Sequence, residues 1–261
     1  MTLAPGWTEA ALSAVEDAGL NASAPPQQRW VDGWLVRLCP GKAKRARCVN
    51  ALAVGRRALD GKLAEVAQAF DDAGLPLVVR ITPFTAPSTL DAELDARGFR
   101  AFDDTHVLAA RLAEMPLHDA LPAGLTLEHC GPEDYARIVG DLRGSSQAQQ
   151  QAHAQRLLQS PVPYQGHVLR RGAEVLACGQ SAREGRHVGL YDVFTAPAAR
   201  NQGLSRALCA QLLRRAAADG AAVAYLQVDT GNAAALSVYR RLGFGSAYRY
   251  HYRAPDPSAA L

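Results

Sequence analysis

The sequence lacks the features by which membrane and secreted proteins are recognised. Its 261 residues contain no apolar run close to the roughly 20 residues that a membrane-spanning helix needs. The amino-terminal segment 1–12 has no basic stretch followed by an apolar one, so it does not look like a secretory signal. We therefore expect a cytoplasmic protein with no membrane partner.

Cysteine is scarce, and neither cysteine nor histidine occurs in a metal-binding pattern. None of the five cysteines has a partner at CxxC spacing, and the seven histidines form no HExxH motif. An odd number of scattered cysteines is typical of free thiols in a reducing compartment. The sequence predicts neither a disulfide framework nor a bound metal.

An excess of charge of one sign is also missing. The net charge is +3, 20% of the residues are charged and 48% are hydrophobic. This balance disfavours disorder and a general affinity for nucleic acid. One short basic cluster is present at Lys42, Lys44, Arg45 and Arg47. A nucleic-acid patch is one interpretation of it, but we favour a solvated hairpin and expect no nucleic-acid partner.

Strands and helices alternate along the chain, which predicts an α/β fold with a mixed sheet. Strands are expected at 33–39, 75–81, 125–130, 187–195, 222–228 and 246–254, with a hairpin at 166–183 and helices at 60–74, 132–143, 203–218 and 233–241. A stretch with two prolines separates the halves. We predict an amino-terminal lobe at 1–115, a linker at 116–124 and a second domain at 125–261. The strand near 246–253 could be an edge that pairs with another copy, and the oligomeric state stays open.

The two halves contain a similar order of elements. In each, a strand is followed by a loop, a short helix, a Gly-Phe pair and another strand, with Gly98–Phe99 and Gly243–Phe244 at corresponding places. A glycine followed by a hydrophobic residue is a common helix ending, so the similarity could be local. We interpret it as a structural repeat.

The segment 199–208, ARNQGLSRAL, combines an arginine, a glycine and a small residue where a strand gives way to a helix. The first N–H groups of a helix are unpaired and lie at the positive end of its dipole, so they bind anions. Small residues such as Gly203 and Ser205 let a phosphate come close, and Arg200 adds charge. The segment has neither a Walker A motif nor a GxGxxG motif.

A second motif, TGNAAALSVYRRLGF, follows at 230–244. Asn232 is a natural N-cap for the predicted helix. Tyr239 lies seven residues later, two helical turns away on the same face. An amide and a phenol therefore point the same way from this helix.

Together these two segments resemble the GCN5-related N-acetyltransferase (GNAT) superfamily. Its usual pattern is V-x-P-x-x-[RQ]-x-x-G-x-[GA] and then N-x-x-A-x-x-[YF]-x-x-x-G-F, and the match covers about 125–253. Ser205 replaces the usual Gly or Ala, and Thr195 stands where Val is common. The resemblance implies two GNAT-like lobes, as in tandem bacterial members, of which the first is degenerate because it lacks the Arg-x-x-Gly loop.

The resemblance implies that acetyl-CoA is the cosubstrate and that the acetyl group passes directly to a primary amine. The pyrophosphate would lie on the backbone of 201–205 and the pantetheine arm along 193–195. The implied donor-binding residues are Val193, Phe194, Thr195, Arg200, Asn201, Gln202, Gly203, Leu204, Ser205, Asn232, Ala235 and Tyr239.

Catalytic roles can be assigned to two side chains. Tyr239 is the implied general acid. The leaving thiolate needs a proton, and its conjugate acid has a pKa of about 8.5, below the roughly 10 of a tyrosine, so the phenol is a feasible although not essential donor. Asp192 is our first choice of general base, because an acid is otherwise awkward in the apolar strand 187–195. The alternatives near this strand are Glu184, His187 and Asp229. Tyr191 could instead point into the acceptor site.

Two functional alternatives remain open at this stage. The chain could be a non-catalytic acyl-CoA sensor, because a sensor would keep the same phosphate loop, or it could use another acyl-CoA donor or a hydroxyl acceptor. The identity of the acceptor cannot be read from the sequence. The first half would form a wall of the acceptor cleft, with candidate lining residues Trp30, Trp34, Arg37 and Arg45.

Overall fold

The computed structural model describes residues 6–40, 43–117 and 121–260. Lys42 of the basic cluster and residues 118–120 of the predicted linker lie outside the described residues. The strands are β1 Gln28–Val31, β2 Trp34–Arg37, β3 Val49–Ala51, β4 Val79–Ile81, β5 Arg100–Arg111, β6 Thr126–Cys130, β7 Tyr164–Arg171, β8 Glu174–Glu184, β9 His187–Thr195, β10 Val223–Asp229 and β11 Gly245–Ala254. The helices are α1 Glu9–Ala22, α2 Leu59–Asp72, α3 Leu90–Asp95, α4 Pro132–Arg143, α5 Gln147–Leu158, α6 Leu204–Ala218 and α7 Ala233–Arg241.

All the described strands belong to one mixed sheet. Their order is β1-β2-β3-β4-β11-β5-β10-β9-β8-β7-β6. Two neighbouring pairs are parallel, β3 with β4 and β9 with β10, and the other pairs are antiparallel. A parallel pair needs a crossover helix, which α2 and α6 supply. The mixed α/β fold predicted from the sequence is therefore confirmed.

The element order β1-β2-β3-α2-β4-α3-β5 recurs as β7-β8-β9-α6-β10-α7-β11. The short helices of both units end in the same way. The N–H of Phe99 donates to the carbonyl of Leu94, and the N–H of Phe244 donates to that of Tyr239, each at 3.0 Å. The intervening glycines, Gly98 and Gly243, both have positive φ. The predicted structural repeat is present in the described chain.

The last strand of each unit pairs with the other unit. β11 lies between β4 and β5, and β5 lies between β11 and β10. The sheet therefore runs continuously through both halves by an exchange of strands. The prediction that 246–253 forms an exposed edge was wrong, because β11 has a hydrogen-bonded neighbour on each side. It cannot pair with another copy without leaving this sheet.

Two helices were absent from the sequence-based assignment, and both carry a recognisable N-cap. Thr8 caps α1 by accepting a hydrogen bond from Ala11 N. Ser146 and Gln149 form a capping box at the start of α5. The body of α5 is rich in glutamine and buries only Ala154 and Leu157, so its apolar stripe is too thin to mark it as a helix.

The core lies on both faces of the sheet. On one face, α6 packs its apolar side chains against β8 and β9 around the fully buried Leu208, Leu213 and Val188. On the other face, α1, α4 and α5 cover a layer rich in tyrosine that includes Tyr135, Tyr164 and Tyr191. No helix in the described ranges is both long and apolar enough to cross a bilayer.

Candidate active site

A cavity of about 860 Å³ lies where β9 and β10 separate, between α5, α7 and the segment that follows β2. It is lined by Ser23, Cys39, Pro40, Ala43, Arg45, Ala46, Arg143, Ser145, Ala148, Gln149, Ala152, His153, Arg156, Tyr164, Leu190, Tyr191, Asp192, Val193, Gln227, Val228, Asp229, Asn232, Ala235 and Tyr239. A volume of this size suits a small molecule. Both halves of the chain contribute to its wall.

The cavity forms because two parallel strands stop pairing. β9 and β10 are in register from His187–Val223 to Leu190–Leu226 and have no paired residues after that. A β-bulge lies at the same place, because Asp192 and Val193 of β9 stand opposite the single residue Gly179 of β8. In the described structure, the β9 edge beyond the bulge therefore has no strand partner on the β10 side.

The turn before α6 has the geometry of an anion site. Asn201 and Gly203 both have positive φ, at 62° and 73°, and α6 begins directly afterwards at Leu204. Among the described residues, no side chain caps this helix. The space that a Cβ of Gly203 would occupy is open. The amides of this turn are thus accessible to a phosphate, as a diphosphate-binding turn requires.

Two polar side chains flank this turn. The exposed Arg200 donates from Nε to the carbonyl of Thr195 at 3.4 Å, and its guanidinium lies 5.8 Å from the ring centre of Phe194. The Ser205 hydroxyl bonds the Cys209 thiol one turn later on the buried side of α6. The serine in place of the usual small residue therefore points along the helix and leaves the turn open.

The start of α7 places Asn232 and Tyr239 beside the cavity. Asn232 accepts a hydrogen bond from Ala235 N through Oδ1 at 3.1 Å, so it is the N-cap that the sequence predicts. Tyr239 is 9% exposed and stacks edge-on against Phe244 with ring centres 6.0 Å apart. Burial raises the pKa of Tyr239 well above its usual value. At neutral pH this phenol is protonated and can act only as a proton donor.

The structure brings together only part of the predicted site. Of the predicted donor-binding and catalytic residues, those in the cavity wall are Asp192, Val193, Asn232, Ala235 and Tyr239. Phe194, Thr195 and residues 200–205 lie outside the wall, on the strand end and turn that follow Val193. A donor molecule would have to run from that turn into the cavity along β9.

Asp192 is held in an ion cluster. Its Oδ1 accepts a hydrogen bond from Arg143 at 3.1 Å, and its Oδ2 lies 3.2 Å from Nε2 of His153 and 3.8 Å from Nη2 of Arg156. Burial alone would raise the pKa of Asp192, but His153 and the two arginines outweigh it and hold the pKa well below its usual range. A carboxylate in this state is a weak proton acceptor.

Sequence reasoning missed the three partners of Asp192. Arg143 is the last residue of α4, a helix that was predicted, and its guanidinium lies 5.4 Å from the ring centre of Phe194. His153 and Arg156 are three residues apart on α5, on one face of a helix that was not predicted. The capping box at Ser146 was the available signal for that helix.

The other candidate bases have different positions. Glu184 accepts hydrogen bonds from Asn21 at 3.0 Å, and His187 is at the opposite end of β9. Asp229 does line the cavity, with its Oδ1 accepting from Gly231 N at 2.7 Å, and so does Tyr191.

Of the first-half residues considered for the acceptor cleft, Arg45 alone is in the cavity wall. Trp34 and Arg37 are buried within the first half, and Trp30 is 64% exposed.

The first half has a loop that corresponds to the turn before α6, but a carboxylate of the chain itself occupies it. In the loop between β3 and α2, the amides of Arg56 and Arg57 donate to the two carboxylate oxygens of Asp32, each at 2.9 Å. At the place of Tyr239, this half has the fully buried Leu94. Neither an open anion turn nor a phenol is present in the described part of this half.

A family model described as "Probable histone acetyltransferase Rv0428c C-terminal" matches residues 9–253. The chain belongs to this family. The match includes both halves, so the acetyltransferase family accounts for the first half as well as for the motif-bearing second half. No curated protein sequence matches the chain.

Solved structures agree with membership of this acetyltransferase family. A GCN5-related N-acetyltransferase from Kribbella flavida matches with a TM-score of 0.68 and 16% identity over 93% of this chain and 94% of that one. A tandem GNAT protein from the clavulanic acid biosynthesis pathway matches with a TM-score of 0.62 and 14% identity over 77% of this chain and 72% of that one. The chain is therefore a GNAT superfamily protein with the GNAT fold.

Proposed function

We propose that this protein is an N-acetyltransferase that takes an acetyl group from acetyl-CoA and passes it directly to a primary amine. One observation carries the proposal. The strands β9 and β10 separate beside an uncapped α6, and the cavity that results contains Tyr239. A phosphate turn, a free strand edge and a protonated phenol are the parts that transfer from a thioester needs.

The donor-binding residues follow from this arrangement. The amides of 201–205 would bind the pyrophosphate, with Arg200 as a charge beside them. The free edge of 193–195 would hold the pantetheine arm by strand-like hydrogen bonds, and Asn232 and Ala235 would form the facing wall. Acetyl-CoA supplies an acyl group that is already activated as a thioester. The described residues contain no cluster of three metal-ligating side chains, and the proposal uses no metal.

The chain's own groups would act at two points of the reaction. A backbone N–H near the bulge at Asp192 and Val193 would donate to the acetyl carbonyl oxygen and stabilise the charge that develops there. Tyr239 would donate its proton to the leaving sulfur. Since burial keeps Tyr239 protonated, it is ready for this role across the physiological pH range.

The attacking amine must lose a proton, and we assign its acceptance to His153. Imidazole is the commonest general base in enzymes, and His153 is in the cavity wall. The Asp192 carboxylate lies against Nε2, so Nδ1 is the ring nitrogen that remains to take the proton. In this proposal Asp192 is a positioning residue for His153 and Arg143 instead of the base that the sequence suggested.

We further propose one donor site per chain, in the second half. The first half has a carboxylate in its anion turn and a leucine in place of the phenol, which supports a non-catalytic role. The division into a lobe at 1–115, a linker at 116–124 and a catalytic domain at 125–261 stays our proposal for the two functional units. The first unit would contribute a wall of the acceptor cavity.

The test separates binding from turnover. Isothermal titration with CoA is expected to show one molecule bound per chain, and acetyl-CoA with an amine panel is expected to release free thiol. Binding without release for any amine would favour an acyl-CoA sensor. Binding of two molecules would contradict the single-site proposal, and absence of CoA binding would contradict the whole assignment.

A further inference from the structure

Arg45 is a cation in the cavity wall that has no carboxylate partner among the described residues. Within the described ranges, its side chain makes one hydrogen bond, from Nη1 to the hydroxyl of Tyr250 at 3.4 Å. Its Nε is buried without a hydrogen-bond partner. A guanidinium that the protein itself satisfies so poorly is costly, so a ligand in the cavity that accepts from its terminal nitrogens would be stabilised.

The other basic residues of the 44–47 segment are already engaged. Lys44 pairs with Asp103 at 2.9 Å, and Arg47 donates to the carbonyl of Ala260 at 2.9 Å. Arg45 lies between them in sequence and forms part of the cavity wall. The described part of the basic cluster is therefore one cation in the cavity wall flanked by two residues with structural contacts, and not a uniform solvated patch.

The cavity wall as a whole has an excess of positive charge. It contains the guanidiniums of Arg45, Arg143 and Arg156 and the carboxylates of Asp192 and Asp229. Arg143 and Arg156 both pair with Asp192, so this carboxylate is not available to neutralise a further cation. Asp229 is turned to the backbone of its own loop. The wall therefore carries one more positive than negative side chain, and Arg45 is its guanidinium without an ion-pair partner among the described residues.

We propose that the acceptor is a small amine that also carries an anionic group, a carboxylate or a phosphate, and that Arg45 binds this group. The inference rests on the proposed N-acetyltransferase function and names the substrate class of the same site. A guanidinium binds both anions through two parallel hydrogen bonds, which fixes the orientation of the ligand. The amine would then extend toward His153 and the donor end of the cavity.

The rest of the wall fits such a molecule. The rings of Tyr164 and Tyr191 pack edge-on with centres 5.2 Å apart, and Arg156 lies 6.0 Å from the ring centre of Tyr164. These rings offer an apolar surface to the carbon skeleton between the anion and the amine. A lysine-rich polypeptide, such as the histone named in the family's description, would bring further positive charge to this wall, which disfavours it.

The experiment compares matched amines on the full-length protein, with and without CoA. ω-Amino acids and aminoalkyl phosphates with three to six carbons are each paired with the corresponding carboxamide or diamine, and a lysine-rich histone-tail peptide is a separate arm. Binding is followed by calorimetry and turnover by thiol release with acetyl-CoA. We expect the anionic amines to bind more tightly than their matched partners, and the comparison of carboxylates with phosphates identifies the anion.

Three variants locate the effect. Arg45→Gln should raise the KM or Kd of the preferred anionic amine about 10- to 100-fold, the loss expected for a hydrogen bond to a charged group, and leave the KM of acetyl-CoA unchanged. Arg45→Lys should recover part of the affinity. Arg29→Gln removes the same charge from an exposed position on β1 and should change neither constant.

The outcomes test the anionic acceptor and the acetyltransferase function separately. Equal binding of anionic, neutral and cationic amines, or a preference for the histone peptide, would overturn the anionic acceptor and leave the acetyltransferase proposal intact. An Arg45→Gln variant that is folded and keeps the wild-type preference would also overturn it. Loss of CoA binding in the wild type would instead overturn the proposed function.

Discussion

Tyr239 combines two properties that rarely occur in a simple core residue. It is nearly buried against Phe244, and it also borders a cavity whose wall includes Asn232 and the β9 bulge at Asp192 and Val193. Burial raises the pKa of its phenol, so the protonated form dominates at neutral pH. A phenol of this kind keeps its proton at neutral pH until the leaving thiolate takes it.

Replacing Tyr239 with Phe should lower kcat about 10- to 100-fold, at the low end of general acid catalysis because a thiolate is already a good leaving group. The KM for acetyl-CoA should change little, since the ring and its packing remain. Steady-state kinetics checks this, with a thermal melt to verify folding. An unchanged kcat in a folded variant would reduce Tyr239 to a packing residue.

Asp192 shows how one carboxylate can organise several cations. Replacing it with Asn keeps a residue that tolerates the positive φ of 49° but removes the negative charge from Arg143, His153 and Arg156. The free energy of unfolding at pH 7 should fall by about 1 to 2 kcal/mol, less than for a fully buried pair because the side chain is 23% exposed. Denaturant titration measures the change.

The pH dependence of this loss has a definite sign. Because the folded pKa of Asp192 is lowered, its contribution to stability is fully present above the unfolded pKa of about 3.9 and declines as the pH falls toward the folded value. The difference between wild type and Asp192→Asn should therefore shrink on acidification. Asp134→Asn breaks an exposed pair with Arg137 and should cost almost nothing at any pH.

At the scale of an element, the start of α6 is the feature in which the two halves differ most clearly. It has a left-handed glycine, no side-chain cap and open space, whereas the corresponding loop before α2 has closed on Asp32. The same repeat unit thus has an open, uncapped turn in one copy and a turn filled by a carboxylate in the other. Divergence of a few loop residues would account for the single donor site that we propose.

Replacing Gly203 with Val should weaken CoA binding at least 10-fold, because a branched side chain at φ 73° forces the turn to change and crowds the amides. Gly172→Val is the matched control: that glycine also has positive φ and open space around its Cβ, but it lies in the β7–β8 turn. Calorimetry with CoA should separate the two. Equal affinity in both variants would remove the phosphate turn from the proposal.

At the scale of the whole molecule, the exchange of β5 and β11 ties the halves into one folding unit. β5 pairs with β10 along Thr105–Arg111 and with β11 over nearly its full length, and it carries fully buried Val107 into the shared core. A second half without β5 would expose two strand edges and part of its core. The proposed functional boundary therefore does not coincide with a folding boundary.

A fragment of residues 121–261 should not fold cooperatively by itself, and co-expression with residues 1–117 should restore both the sheet and CoA binding. Circular dichroism and thermal melts of the separate and combined fragments measure this. If residues 121–261 alone melted cooperatively and bound CoA as tightly as the full chain, strand exchange would be dispensable.

Local sequence determined a large part of this protein. The bounds of β9, α4 and α7 follow from apolar periodicity and capping residues, and these signals act within a few residues of the chain. The turn at Gly203 and the cap at Asn232 were readable for the same reason. The motif that resembles the acetyltransferase pattern lies in the turn before α6, the first turn of α6, the helix α7 and the Gly243–Phe244 pair after it, all of them local features of the chain.

Tertiary structure alone decided the rest. Arg45, Arg143, His153 and Asp192 are separated by up to 147 positions in sequence, and no local pattern predicts that they share one cavity. The strand β5 lies beside β11 and not beside β4, which precedes it in the chain. This pairing is equally non-local, because it depends on the side chains that the complete sheet buries. The sequence thus determined where a donor could bind, whereas long-range packing determined which charges face the acceptor.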